Sequence, residues 1–370
     1  MRILIWQWGR FGAGPRTAVD FAVAFGALQG VTPLLSLSRQ AEIMRHGQAP
    51  DCALPVDTYR GLPGYLGRVL AAPRFLPALS AGLRALSPDL ALCAMPGPLD
   101  LVMQTALRRE RIPCAVVVHD ADPHPGDGYP MQMALQRLLV RRADAVVALS
   151  EHVANRLRDQ GMAADRRLIR SVLPPLGFGA MSPVRAHGGP FRLLSFGRLL
   201  AYKGLDLLAE ALGSVLPDGG MVVRVVGQGP ESAALAALRL LPGVTVENRW
   251  VPEAEIPALL EWADGVVLSH REASQSGVAA AALAARRFLV ATRVGGLAEQ
   301  AAGDPACILC EVDAASLAAG LRAVVRAPAP GVRAVDVGAA GRLLAALRSV
   351  VEPGARLLDH AEGKSLEPIS

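Results

Sequence analysis

Two cations stand out as residues that could do chemistry. Lys203 is one of only two lysines, with Lys364, in a 370-residue chain that carries 36 arginines. It lies in Phe196-Gly197-Arg198-Leu199-Leu200-Ala201-Tyr202-Lys203-Gly204, just after an apolar run. A guanidinium fork at Arg198 and a compact ammonium at Lys203 suit phosphate oxygens; the alternative is solvated surface charge. A second candidate is Gly265–Glu299. There an apolar run ends at Ser269, Glu272 follows, and the small-residue turn Ser274-Gln275-Ser276-Gly277-Val278 opens an alanine-rich segment. The unpaired N–H groups of such a helix start attract phosphate or sugar oxygens. Val226-Gly227-Gln228-Gly229-Pro230 and Glu247-Asn248-Arg249-Trp250-Val251-Pro252 add two more strand-end loops. Earlier in the chain, Val116–Val118 runs into His119-Asp120-Ala121-Asp122-Pro123-His124-Pro125-Gly126-Asp127. His119, first after the strand, is the candidate for chemistry or sugar contact, and Asp120 and His124 are candidates for a second substrate. Two histidines and three aspartates in one loop do not make a metal site, because hard cations are usually held by several segments. No metal is expected.

These residues need elements to hold them. Arg2–Trp6 reads as a buried strand, followed by Gly9-Arg10-Phe11-Gly12-Ala13-Gly14 and a helix over Thr17–Leu28. Strand, glycine turn and helix form a phosphate-cradle layout, so Gly12 and Gly14 are candidates to face a ligand. The Rossmann spacing is absent, and the glycines could instead serve close packing. Further strands are expected at Thr32–Ser36, Leu90–Ala94, Cys114–His119 and Ala145–Leu149, with helices between. Tyr65–Leu86 is apolar with Arg68, Arg74 and Arg84 spread through it, and its prolines, Pro73 and Pro77, should break it into short helices. It reads equally as a basic amphipathic element for a membrane surface or as an ordinary helix pair.

Composition changes at Leu173-Pro174-Pro175-Leu176-Gly177 and stays Gly/Pro-rich over 183–190, so the domain boundary falls there. The expected division is an N-terminal α/β unit over 1–180, a C-terminal unit over 190–330 and a terminal helix over 338–352. Strands in the second unit are expected at Arg192–Phe196, Met221–Val226, Val244–Glu247, Gly265–Ser269, Phe288–Thr292 and Ala306–Cys310. Helices alternate with them near Leu205–Leu216, Glu231–Leu240, Glu253–Ala263 and Ala314–Val325, a last helix covers Ala339–Val351, and a loose tail follows Pro353. Such alternation builds parallel sheets covered on both faces, with ligands beyond the carboxyl ends of the strands.

Hydrophobic residues make up 52% and charged residues 19%, which excludes a disordered chain. No apolar run reaches the roughly 18 residues of a membrane span, and the first residues meet Gln7 and Arg10 too early for a secretory leader. A cytoplasmic location is therefore expected. Five cysteines without regular spacing fit a reducing compartment, and Cys307 and Cys310 lie on a buried strand with no second pair to complete a zinc site. The net charge of +5 is concentrated in residues 1–180, which hold 20 arginines against 14 carboxylates. This half is expected to meet an anionic partner, either a phosphorylated acceptor or the inner face of a membrane. With 4% aromatics and no dense basic run, nucleic acid is not expected.

The ordered motifs Phe196-Gly197-Arg198…Tyr202-Lys203-Gly204, Val226–Pro230, Trp250-Val251-Pro252 and Ala291–Glu299 resemble the GT-B glycosyltransferases of retaining family 4, the glycosyl transferases group 1. The resemblance is good over 191–325, and the first half is similar in pattern only. It implies two facing Rossmann-like domains, with a terminal helix packing back on the first. It further implies a hexosyltransferase with a nucleotide-sugar as co-substrate, no other cofactor, and a glycan or lipid-linked oligosaccharide as acceptor in polysaccharide assembly. Arg198 and Lys203 would hold the donor diphosphate. Gly227, Gln228, Gly229, Trp250 and Val251 would lie by the nucleotide, Ser276–Val278 would hold phosphate and sugar, and His119 would approach the transferred sugar. One departure is clear: the family's two glutamates fall at Ser274 and Ala282, as in a subset that is similar in its Ser/Thr-Gln-Ser-Gly turn. Glu272 could replace one of them only through a loop shift. That departure keeps two other classes in view, a non-catalytic sugar-nucleotide-binding subunit and a sugar-nucleotide epimerase.

Overall fold

The computed structural model describes residues 1–45, 50–124, 126, 131–162, 167–174, 181–182, 184, 186–328 and 338–351. The first unit runs β1 (Arg2–Gln7), α1 (Ala13–Gly26), β2 (Thr32–Leu37), α2 (Gly61–Leu70), α3 (Ala72–Leu86), β3 (Leu90–Cys93), α4 (Asp100–Arg109), β4 (Cys114–Val118), α5 (Gln132–Arg142), β5 (Ala145–Ala148), α6 (Glu151–Asp159) and β6 (Arg167–Arg170). The second runs β7 (Phe191–Phe196), α7 (Leu205–Val215), β8 (Met221–Gly227), α8 (Ala233–Leu240), β9 (Val244–Asn248), α9 (Ile256–Trp262), β10 (Gly265–Leu268), α10 (Gly277–Ala284), β11 (Phe288–Thr292), α11 (Gly295–Ala301), β12 (Cys307–Cys310) and α12 (Ala314–Arg326). A last helix, α13 (Gly338–Val351), follows.

Each unit holds a six-stranded sheet, ordered β2-β1-β3-β4-β5-β6 and β12-β11-β10-β7-β8-β9, with every strand pair parallel. Both faces are covered, which is why the strands read as unbroken apolar runs. In β1, Ile3 and Ile5 enter the core on one face of the sheet, and Leu4 and Trp6 the core on the other. The second sheet likewise lies between two apolar clusters, one packed by α7 and α12 and the other by α9, α10 and α11. Helix α13 returns to the first unit and inserts Leu343, Leu344 and Leu347 beside Phe21, Phe25 and Ile169. The expected two facing α/β units with a returning helix are therefore present.

Several expectations change. Strand β6 was not foreseen: in Arg167-Leu168-Ile169-Arg170 only two apolar residues sit between charges, a pattern that an edge strand tolerates. Helix α1 starts at Ala13 rather than Thr17, because Gly12 takes φ +78° just before it and Pro15 fits the first turn. Pro77 does not break α3; the break falls at Ala71, between α2 and α3. Pro77 leaves unbonded only the carbonyl of Pro73, and both prolines are exposed, so water can replace the lost bond. Of the expected boundary, Pro175–Gly177 and Pro183 lie outside the described residues, as do Asp127 and the tail after Pro353.

Each sheet has one place where successive connections leave in opposite directions. In the first it lies between β1 and β3, in the second between β7 and β10. Parallel α/β sheets leave a crevice at such points, beyond the carboxyl ends of the strands. Because α13 closes the first core, Leu347→Ala should destabilise that unit by about 2–5 kcal/mol, read as a lower midpoint in urea unfolding.

Candidate active site

The two crevices face one another across a cavity of about 530 Å³. The first unit contributes Arg10, Phe11 and Gly12 after β1, and His119, Asp120 and His124 after β4. The second contributes Gly197, Arg198, Tyr202 and Lys203 after β7, Gly227 and Gln228 at β8, Trp250, Val251 and Glu253 after β9, and His270 and Gln275–Val278 after β10. The units also touch directly. Arg16 Nη1 meets Glu253 Oε1 at 3.1 Å, and Phe11 and Trp250 make an edge-to-face pair at 6.0 Å. The carboxylate of Glu299 accepts the Glu151 and His152 amides at 2.6 and 2.8 Å, so a side chain of the second unit caps α6 of the first.

Lys203 is held by its backbone as much as by its side chain. It ends a short 3₁₀ turn, Ala201–Lys203, whose Lys203 carbonyl accepts from Ser269 Oγ at 2.8 Å and whose Tyr202 carbonyl accepts from the Arg271 amide at 2.8 Å. Gly204 follows at φ +63°, and a Cβ there would lie 1.9 Å from the Ser269 carbonyl oxygen. Only glycine lets the β7 loop come this close to the end of β10. The ammonium then reaches His270 Nε2 at 2.7 Å. Burial, with the charge of Arg198 beside it, brings the Lys203 pKa down to about 8, against a smaller upward pull from Asp120. Burial, and the neighbouring charges of Lys203 and His124, push His270 well below the usual histidine range, so it is neutral and can accept from the ammonium. Among the described residues, its Nδ1 is buried with no hydrogen-bond partner.

His119 is 7% exposed; its Nε2 lies 2.8 Å from the Ala94 carbonyl and its Nδ1 2.5 Å from Gln275 Nε2. Nε2 must donate to the carbonyl, which leaves Nδ1 to accept from the amide. Burial lowers its pKa and holds it neutral, outweighing the Ala94 bond and the Asp120 charge. Asp120 bonds His124 Nε2 at 3.2 Å, and the His124 ring stacks on Tyr202 at 4.6 Å. Burial raises the Asp120 pKa, but its bond to His124, the charges of His124 and His119, and Ser274 together bring it below the ordinary carboxylate range.

The turn before α10 is partly committed. Ser276 Oγ accepts from the Ala279 amide at 3.2 Å, and the Ser276 amide donates to Gln300 Oε1 at 2.7 Å. The helix-start donors remaining at the cavity wall are therefore the amides of Gly277 and Val278, and not that of Ser276.

Four expected ligand residues do not line the cavity. A Cβ on Gly14 would meet the Gln7 side chain at 2.6 Å, and one on Gly229 the Leu199 carbonyl oxygen at 2.1 Å, so both glycines serve packing. Ser274 is buried, and its carbonyl accepts from Ser150 Oγ of the first unit at 3.1 Å. Glu272 is exposed, 3.8 Å from His124 Nδ1 and away from the cavity wall. The other expected residues are at the wall, together with others not singled out, among them His270, Tyr202, Arg16 and Glu253. The strand-end rule that picked His119 could have found His270, which follows Ser269 in the same way. Arg16 and Glu253 meet only because the units do.

Two facing Rossmann-like sheets with a cationic, strand-end cavity between them define the GT-B class of protein. Both halves of the chain match glycosyltransferase models: residues 190–327 the model "Glycosyl transferases group 1" and residues 22–171 the model "Glycosyl transferase 4-like domain". A 2-deoxystreptamine glucosyltransferase of Streptomyces kanamyceticus is 28% identical over 55% of this chain and 56% of its own. A putative colanic acid biosynthesis glycosyltransferase, WcaL, of Salmonella typhimurium is 27% identical over 50% of this chain and 48% of its own. The chain thus spans about half the length of the curated relatives it matches. Anabaena HepE, solved in complex with UDP and glucose, superposes with a TM-score of 0.63 at 18% identity, over 95% of this chain and 94% of its own. A UDP-GlcNAc 2-epimerase from Neisseria meningitidis, solved bound to UDP-GlcNAc, gives 0.60 at 10% identity, over 94% and 100%.

Gly204→Ala combines a strained φ with a backbone clash. It should cost about 2 kcal/mol or more in urea unfolding, with a Cα displacement at Lys203 visible in a crystal structure of the variant.

Proposed function

We propose that this protein is a hexosyltransferase that moves a sugar from a nucleotide-sugar to an acceptor hydroxyl with retention of anomeric configuration. The single observation that carries the proposal is the pair Arg198 and Lys203, two cations at the second sheet's crevice, in one cavity with the amides that open α10. The difficult event in such a transfer is charge building on the leaving diphosphate. A half-buried ammonium, a guanidinium and fixed amides stabilise that charge without reorganising at the moment of reaction. His270 fits a positioning role: it holds the Lys203 ammonium in place and, being neutral, adds no charge. Gln228, Trp250 and Val251 suit the nucleotide, as the complexes of HepE with UDP and UDP-glucose support for the fold. His119 and Gln275, bonded to each other from opposite units, would face the transferred sugar. Departure of the nucleoside diphosphate and attack of the acceptor from the same face give retention. No metal is needed on this reading, and the reaction should persist in chelator.

The acceptor would lie on the first unit, by Asp120 and His124, and a glycan or lipid-linked oligosaccharide fits the basic character of that half. The Ser274-Gln275-Ser276-Gly277 turn without the family's glutamates implies fewer contacts to the donor ribose and sugar, hence an altered donor preference. UDP-GlcNAc epimerases superpose about as well as transferases, but both family models matched by this chain are glycosyltransferase models. An isomerised donor formed without acceptor, seen by NMR of the sugar, would establish the epimerase instead. Binding without turnover would establish a non-catalytic subunit.

The test is a screen of the purified protein against nucleotide-sugars, followed by turnover with the best donor. Lys203→Ala should lower kcat/KM about a hundredfold or more, equivalent to the roughly 2.7–4 kcal/mol lost with one oxyanion donor elsewhere; an unchanged rate refutes the role. Binding should also depend on pH. Lys203 loses its proton near pH 8 in the free protein, and a bound diphosphate raises that pKa because opposite charge favours the ammonium. Affinity for UDP should therefore be level from neutrality to about pH 8 and fall above it, with net proton uptake on binding there. Calorimetry in two buffers of different ionisation enthalpy measures both quantities. In Lys203→Met the dependence should vanish.

A further inference from the structure

Helix α2 presents an apolar stripe that nothing among the described residues covers. Leu62, Leu66, Val69 and Leu70 recur at helical spacing and are 69%, 53%, 41% and 82% exposed, and no residue of α2 is buried. The helix is attached along the flank of that stripe: Tyr65 packs on the core of the first unit and meets Tyr59 edge-on at 5.2 Å. Residues 60–86 hold Arg60, Arg68, Arg74 and Arg84 and no aspartate or glutamate. Within this segment the charge has one sign, with Arg84 at its far end paired to Glu110 at 3.7 Å. Arg68 lies 4.2 Å over the Phe75 ring, so the first turn of α3 carries this basic character past the 74° bend.

No single described helix is long and apolar enough to cross a membrane, and α2 with α3 passes that test only as a bent pair. Helix α3 is not available for a span, because Leu76, Leu79 and Leu83 are buried in the core of the first unit. What remains is a short exposed helix with leucines outward and arginines around it. That arrangement suits the boundary between head groups and acyl chains, where apolar residues enter and guanidinium groups meet lipid phosphates.

We propose that the outer face of α2 docks the protein on an anionic lipid bilayer. The occupant follows from the chemistry: a water-soluble partner covering four leucine and valine side chains would not need flanking arginines, whereas an anionic bilayer matches both features. The placement also bears on the cleft. Arg10, at the cavity wall, donates to the Tyr59 carbonyl at 3.3 Å, and Tyr59 in turn packs on α2. Docking by α2 therefore brings the first unit's side of the cavity mouth towards the lipid. The proposal goes beyond the transfer reaction and stands even if that reaction is misassigned.

The experiment is co-sedimentation of the full chain with vesicles of phosphatidylglycerol and phosphatidylcholine, against phosphatidylcholine alone, at low and high salt. Wild type should bind the anionic vesicles and be released by salt. Leu62→Ser/Leu66→Ser/Leu70→Ser should bind roughly tenfold more weakly or worse. Arg60→Gln/Arg74→Gln should lose the preference for anionic lipid. These positions are exposed, so unchanged circular dichroism and unchanged UDP affinity should accompany the loss. Three results would overturn the proposal: no binding of wild type at low salt, binding that survives the leucine substitutions, or a dimer in solution that those substitutions dissociate, which would assign the face to a second copy of the chain.

Discussion

The structure turns on a partly desolvated ammonium beside another cation. Lys203 is half-buried near Arg198, and its hydrogen-bond partner, His270, is uncharged. Such an arrangement costs folding free energy, because the charged form is desolvated and repelled. The strain appears as the lowered pKa, and an anion placed between the two cations relieves it. On the proposed reading, the same features that make the site unfavourable by itself suit it to a phosphate group.

The surrounding architecture serves that contact. The 3₁₀ turn carrying Lys203 is tied to the end of β10 by Ser269 and Arg271, and Gly204 allows the approach. These ties fix the position of the ammonium relative to α10, whose first amides lie at the same wall. The first unit is brought to the opposite wall through Glu299 capping α6, Arg16 pairing with Glu253, and Gln275 bonding His119. Each of these contacts uses a polar side chain.

Much of this was legible from the order of residues. A parallel sheet buried on both faces writes its strands as apolar runs, and ligand loops follow each run, so Arg198, Lys203, His119 and the turn at 274–278 could be picked out in advance. What escaped had weak local signals. Strand β6 has only Leu168 and Ile169 as apolar residues, and Pro77 looked like a helix breaker although the carbonyl it strands faces solvent. Gly14 and Gly229 resembled cradle glycines, yet their missing side chains make room for Gln7 and for the Leu199 backbone. A glycine states that a Cβ is unwelcome, and sequence does not say whether a ligand or the protein's own backbone takes the space.

The chain's sequence by itself determined the α/β layering, the succession of strand-end loops and the two cations, because hydrophobic period and residue chemistry are local properties. The tertiary structure decided which loop residues meet. It brought His270 to Lys203 and Gln275 to His119, committed the Ser276 amide to Gln300, and left Glu272 outside the cavity. Those pairings join residues far apart in the chain, from 24 positions between Ser276 and Gln300 to 156 between Gln275 and His119. Their distances depend on strand order and on how the two units face each other, which are properties of the packed whole rather than of any segment.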